Sequence, residues 1–147
     1  MATTEPATKI AFHTNITDKS HYVCRLIRKA NSANCRIVVL QNDLTQLQAL
    51  DEALWTFADT SFLPHVLSDD PNAERTAIVL AKDADQKFPH YELLINLSNQ
   101  VPANFDRFDR LIEIVTTDHD DKLAGRQRYK TYQQAGYTPE HLEVKTA

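Results

Sequence analysis

Short β-branched segments alternate with stretches of helical periodicity along nearly the whole chain, and this alternation restricts the fold more than any other property. Lys9 to Thr14 alternates as a strand does, and Asp18 or Ser20 can cap a helix running to about Ala33 with Tyr22, Leu26, Ile27 and Ala30 as its apolar stripe. Cys35 to Leu40 reads as a buried strand, and Asp43 opens a second helix in which Leu44, Leu47, Leu50 and Leu54 recur every three or four residues. Thr76 to Ala81, Leu93 to Leu97 and Arg110 to Val115 read as further strands, and a last helix follows. Strand–helix alternation of this kind predicts an α/β fold: one three-layer domain over residues 1–147, with a largely parallel sheet covered on both faces. Residues 1–8 and about 139–147 are expected to be loose.

An α/β sheet raises the question of a nucleotide, and glycine content argues against one. The chain has only Gly125 and Gly136. Loops that cradle phosphates need glycine so that backbone N–H groups can approach the ligand. The turn after the first strand is instead Asn15-Ile16-Thr17-Asp18, and neither GxGxxG nor GxxxxGK[ST] occurs. Nucleotide-binding-like topology without a nucleotide site is the expectation, with no cofactor. The histidines His13, His21, His65, His90, His119 and His141 have no metal-ligand spacing, so no metal is expected either. Asp118-His119-Asp120-Asp121 is better read as the acidic, capping start of the last helix than as a metal or acid–base cluster. Ser61 and Ser98 lack the glycines of a nucleophile elbow. Cys24 and Cys35, eleven residues apart, read as buried free thiols. Nothing in the pattern demands an enzyme.

Charge then singles out the last helix. The chain is 42% hydrophobic and carries a net charge of −4, with a pI near 5.8, which is unfavourable for a dedicated nucleic-acid binder. No stretch reaches the roughly 20 apolar residues of a membrane span, and the N-terminus lacks a secretory pattern, so a cytoplasmic protein is expected. Against this background Lys122, Arg126, Arg128 and Lys130 gather in one segment with Tyr129 and Tyr132. At about 100° per residue, Lys122, Arg126, Tyr129 and Gln133 share a face, Lys130 flanks it, and Arg128 points to roughly the opposite side. Cations beside an aromatic ring suit an acidic ligand with an apolar anchor: an acidic peptide tail or a nucleic acid. A second surface is suggested by Trp55, one step past the leucine stripe, and Phe62, held extended by Pro64. Either aromatic alone would usually be core; together they could form an exposed patch for a partner subunit.

Leu50-Asp51-Glu52-Ala53-Leu54-Trp55 with Ser61-Phe62-Leu63-Pro64-His65, and Arg128-Tyr129-Lys130-Thr131-Tyr132-Gln133-Gln134-Ala135-Gly136-Tyr137, resemble the chi subunit of bacterial DNA polymerase III. The order, separation and length fit a resemblance over the whole domain. It implies a non-catalytic accessory of the clamp-loader complex, with a nucleotide-binding-like fold lacking the nucleotide site. Implied partners are the small psi subunit, the clamp loader through it, and the acidic C-terminal tail of single-stranded DNA-binding protein; a repair helicase at the Phe62 patch is a further possibility. On these residues, Arg126 would meet the tail's terminal carboxylate, for which a guanidinium fork is well shaped. Tyr129 would pack beside the terminal phenylalanine with Val115 as a pocket wall, and Lys122 and Lys130 would attract the upstream aspartates. Gln133 departs from the family, which carries another base there. Phe62 and Trp55 would face psi. Direct binding of single-stranded nucleic acid, by tyrosine stacking and the same bases, is the alternative from another functional class.

Overall fold

The computed structural model describes residues 8–56, 65–68 and 70–145. Its strands are β1 (Lys9–Ile16), β2 (Ile37–Leu40), β3 (His65–Leu67), β4 (Ile78–Ala81), β5 (Leu93–Asn96), β6 (Arg110–Thr116) and β7 (Glu140–Glu143). The helices are α1 (Lys19–Ser32), α2 (Leu44–Thr56) and α3 (His119–Gln134). One sheet holds all seven strands in the order β3-β4-β2-β5-β6-β1-β7, and every pairing in it is parallel.

Period-two alternation sorts the strand side chains between two layers. Ile37 and Val39, Leu93 and Ile95, and Ile112 and Ile114 pack with Val23, Cys24 and Ile27 of α1 and with Leu47, Leu50 and Leu54 of α2. The alternate residues Val38, Leu40, Leu94, Leu111 and Val115 join Phe12, Phe108 and Tyr132 of α3 on the other face. Parallel strands covered on both sides read as continuous apolar runs, and β2, β4 and β5 are buried at every position. Near the carboxyl end of β1, Asn15 takes a left-handed conformation at φ 66°, beside the break in β1–β6 register between His13 and Ile16.

Four local expectations need correction. Leu44 is exposed while Leu47, Leu50 and Leu54 are buried. It is the first residue of α2 and, at about 100° per residue, lies roughly 90° round the helix from the middle of the buried stripe. Thr8 is ordered and buried, its hydroxyl donating to the Phe108 carbonyl at 2.7 Å. The stretch from about residue 139 is not loose, because Glu140–Glu143 pairs with β1. Backbone bonds and Asn15, whose amide donates to the Val144 carbonyl at 2.9 Å, hold it there. Finally, Cys24 is buried but Cys35 only partly so, and both are free. Burial pushes the Cys24 thiol up to about 11. Among the described residues no helix is long and apolar enough to cross a membrane.

Candidate binding pocket on the last helix

The N-terminus of α3 is built from the acidic run as capping chemistry dictates. The Asp118 carboxylate accepts from the Asp121 amide at 3.1 Å. Asp121 in turn accepts from the backbone N–H of Thr116 at 2.7 Å and from its hydroxyl at 2.9 Å. The first bond satisfies a donor that the helix itself leaves open, and the other two tie its first turn to the end of β6. Among the described residues no group of three or more His, Cys, Asp or Glu could hold a metal ion. At the N-terminus of α1, the Asp18 carboxylate accepts from the His21 amide at 3.1 Å.

A different set of bonds fixes the rotation of α3. Arg128 is 3% exposed, and its Nε donates to Glu113 of β6 at 2.9 Å; that carboxylate is fully buried. Tyr132, one turn on, donates its hydroxyl to the same carboxylate, and Asn96 of β5 donates its amide at 2.9 Å. Burial pushes the Glu113 carboxyl above the usual range, opposed by the Arg128 charge and by the Tyr132 and Asn96 hydrogen bonds. With Arg128 and Tyr132 turned inward, Arg126 lies about 160° round the helix from Arg128, Lys122 about 120° and Tyr129 about 100°. Arg126 and Lys122 are accordingly exposed, and Tyr129 is half-buried.

The outcome is a cavity of about 480 Å³ between α3 and the strands β6, β1 and β7. Lys122, Arg126 and Tyr129 line it from the helix, and Val115 lines it from β6. Four of the five residues expected to form a tail site therefore meet at one concavity. Lys130 is exposed on α3 but is not part of the lining. The Tyr129 hydroxyl donates to the Pro139 carbonyl at 3.1 Å, and its ring lies 5.1 Å from that of Phe12. The hydroxyl is therefore committed to the backbone. With Phe12 also in the lining, the two rings give the cavity aromatic surface.

Sequence reasoning missed the other walls. Gly125 lies in the lining, where a Cβ would come within 2.8 Å of Val115 Cγ2. Only a glycine lets the helix approach β6 this closely, a role unrelated to phosphate loops. His141 and Glu143 close the far side from β7, with His141 Nε2 2.6 Å from the Thr14 hydroxyl. No side chain of β7 is buried, so hydropathy carried no trace of it. A usable signal did exist for the anchoring network: Glu113 is the one charge inside the apolar run Leu111-Ile112-Glu113-Ile114-Val115.

Of the second expected surface, Trp55 is 48% exposed at the end of α2. Its ring lies 4.3 Å from that of His65 on β3, and His65 is buried with Nε2 2.9 Å from an Asp51 carboxylate oxygen. Phe62 falls outside the described residues.

Residues 7–140 match the protein family described as DNA polymerase III chi subunit, HolC. The chain is 30% identical over 114 residues to the DNA polymerase III subunit chi of Pseudomonas aeruginosa, covering 78% of each chain. It is 26% identical over 115 residues to the subunit of that name in Escherichia coli K12, again covering 78% of each. The Haemophilus influenzae subunit is likewise 26% identical, over 114 residues, covering 78% of this chain and 79% of that one. In fold it is similar to a solved chain from S. cerevisiae Dbp5 bound to Gle1 and IP6, with a TM-score of 0.64 at 10% identity, covering 97% of this chain and 43% of that one. A match spanning six of the seven strands and all three helices, joined by relatives at this coverage, places the chain in the DNA polymerase III chi subunit family.

Proposed function

We propose that this chi-family protein is a non-catalytic accessory subunit of the replicative polymerase, joining the clamp-loader complex through the psi subunit to single-stranded DNA-binding protein, whose acidic C-terminal tail it holds in the α3 pocket. The observation that carries this reading is the convergence of Lys122, Arg126, Tyr129 and Val115 on one cavity of about 480 Å³. Arg126 offers a guanidinium fork for a terminal carboxylate. The rings of Tyr129 and Phe12, with the Val115 methyl groups, offer apolar surface to a phenylalanine side chain. Lys122 at the cavity rim and Lys130 beside it supply charge for upstream aspartates.

Exposed ion pairs contribute only about 0–1 kcal/mol each. Charge alone would therefore give weak, salt-screened binding. A buried ring and a bidentate carboxylate contact raise this toward micromolar affinity, about −8 kcal/mol. Reversible contacts of this strength suit a cytoplasmic machine that moves along coated strands, with several tails on one oligomer restoring avidity.

Exposure of Trp55 supports its assignment to the surface proposed for psi; Phe62, also assigned to psi, lies outside the described residues. The tyrosine-stacking alternative is less favoured. Tyr132 is fully buried and the Tyr129 ring packs against Phe12 at 5.1 Å, so the two tyrosines of α3 do not form an exposed stacking row. The test is a titration with an acidic peptide ending in phenylalanine. Arg126→Ala should abolish binding with folding intact, and undiminished binding by that variant would remove the site assignment.

A further inference from the structure

The molecule carries a second, separate concentration of positive charge. From Lys19 to Asn42 the chain has five Lys or Arg and no Asp or Glu; the other eleven Lys and Arg share the remaining sequence with all twenty acidic residues. Three of the five, Arg25, Arg28 and Lys29, are exposed on α1. At about 100° per residue they fall with His21 and Ser32 in one band along the helix, opposite the buried Val23, Cys24 and Ile27. Among the described residues no carboxylate lies within 4 Å of any of the three cations. The field of Lys29 is felt beneath the helix. After burial, the Arg110 and Lys29 charges are what hold the His13 ring of β1 below its usual value.

We propose that this outer face of α1 binds the phosphodiester backbone of DNA. The chemistry of the face selects that ligand over an acidic peptide. An acidic peptide needs an apolar anchor to bind usefully, as the α3 pocket provides, and the exposed band of α1 holds none. Backbone binding needs no anchor, since each neutralised phosphate releases counterions. Arg25 and Lys29 stand about 6 Å apart along the helix axis, comparable to the spacing of successive phosphates on an extended strand. Without a Phe, Tyr or Trp in the band the contact offers no large stacking platform and is independent of sequence. α1 and α3 cover opposite faces of the sheet, so DNA on α1 and a peptide in the α3 pocket do not compete. Three cations against a net charge of −4 give weak binding by themselves. Tethering close to DNA would raise the effective concentration enough to matter.

The experiment is anisotropy of a fluorescent oligothymidylate titrated with the intact chain, run for the parent, for Arg25→Glu/Arg28→Glu/Lys29→Glu and for Arg126→Ala. Circular dichroism checks that each variant is folded; reversal at these exposed positions should leave the fold intact, and Arg25→Gln/Arg28→Gln/Lys29→Gln serves as the milder companion. With three phosphates neutralised, the parent should lose about 20-fold in affinity between about 50 and about 200 mM salt. The triple reversal should bind at least tenfold more weakly at low salt, the glutamine variant should fall between it and the parent, and Arg126→Ala should bind as the parent does. The proposal is overturned if the parent shows no binding at low salt, or if both α1 variants bind as the parent does. It is equally overturned if Arg126→Ala alone loses the oligonucleotide, or if an acidic peptide without an apolar residue displaces it at equal charge concentration.

Discussion

Two arginines two residues apart on α3 should respond oppositely to removal. Arg128 is 3% exposed and bonded to a fully buried carboxylate, whereas Arg126 is exposed at the cavity. Breaking a buried pair by deleting one partner costs about 3–5 kcal/mol, because the remaining charge is stranded. Glu113 would keep the Tyr132 hydroxyl and the Asn96 amide as donors, and Arg128→Leu also removes a buried Nη1 that has no hydrogen-bond partner among the described residues. Both features point to the lower end, about 3 kcal/mol. For a chain of this size that is a fall in Tm of about 6–12 °C. Arg126→Ala should stay within about 0.5 kcal/mol of the parent. The assay is thermal and urea unfolding followed by circular dichroism at pH 7.5.

Sign and pH give a further handle on the same variant. The Glu113 carboxyl is held above its ordinary range by burial, and the Arg128 charge is the largest force pulling it back. Without Arg128 it rises further. A carboxyl raised in the folded state is protonated on folding, so stability is greatest below the unfolded value and is lost as pH climbs toward the folded one. The deficit of Arg128→Leu should therefore shrink as the solution is acidified toward pH 5. Glu113→Gln/Arg128→Leu, which replaces the stranded charge by a neutral acceptor, should recover most of the loss at pH 7.5. If Arg128→Leu and Arg126→Ala prove equally mild, or if the double variant is worse than the single one, the anchoring role of the pair is wrong.

Gly125→Ala would gain about 1 kcal/mol of helix propensity and lose about 1–3 kcal/mol to the clash with Val115. A small net destabilisation by urea unfolding is expected, with peptide affinity falling much further because α3 is pushed off the pocket floor. Asp118→Ala removes the N-cap of α3 and should cost about 0.5–2 kcal/mol in the same assay. His90 is buried, with Nε2 3.2 Å from the Thr76 carbonyl, and burial lowers its pKa below 6.5. Its contribution is intact above 6.5 and declines as pH falls below that value. His90→Gln should thus lose less Tm than the parent does between pH 7.5 and pH 5.5, and an equal loss would count against burial as the cause.

How far the sequence carried these conclusions can be seen element by element. Interior strands and the buried helix stripes were legible because covering a parallel sheet on both faces leaves unbroken apolar runs. The register of α3 was legible for the same kind of reason: helical spacing put Arg126 and Arg128 on opposing sides, and the fold keeps them there. β7 was not legible, since an edge strand with no buried side chain is held by backbone bonds to β1 and leaves no pattern in hydropathy. The same blindness hid His141 and Glu143, which enter the pocket on that strand. Gly125 was visible as a letter but not as a contact, because its role depends on which strand the helix happens to cross. Leu44 shows the converse error, where a position three residues from a buried leucine lies at the side of the stripe instead of within it.

The pocket's central claim, that it grips the carboxyl end of an acidic peptide, is best tested by changing the ligand instead of the protein. Calorimetric titration with an acidic peptide ending in free phenylalanine, and with the same peptide amidated at its C-terminus, isolates the Arg126 contact. Binding near the micromolar range for the free acid, falling at least tenfold on amidation, is the expected result. Equal affinity for the two peptides would contradict it.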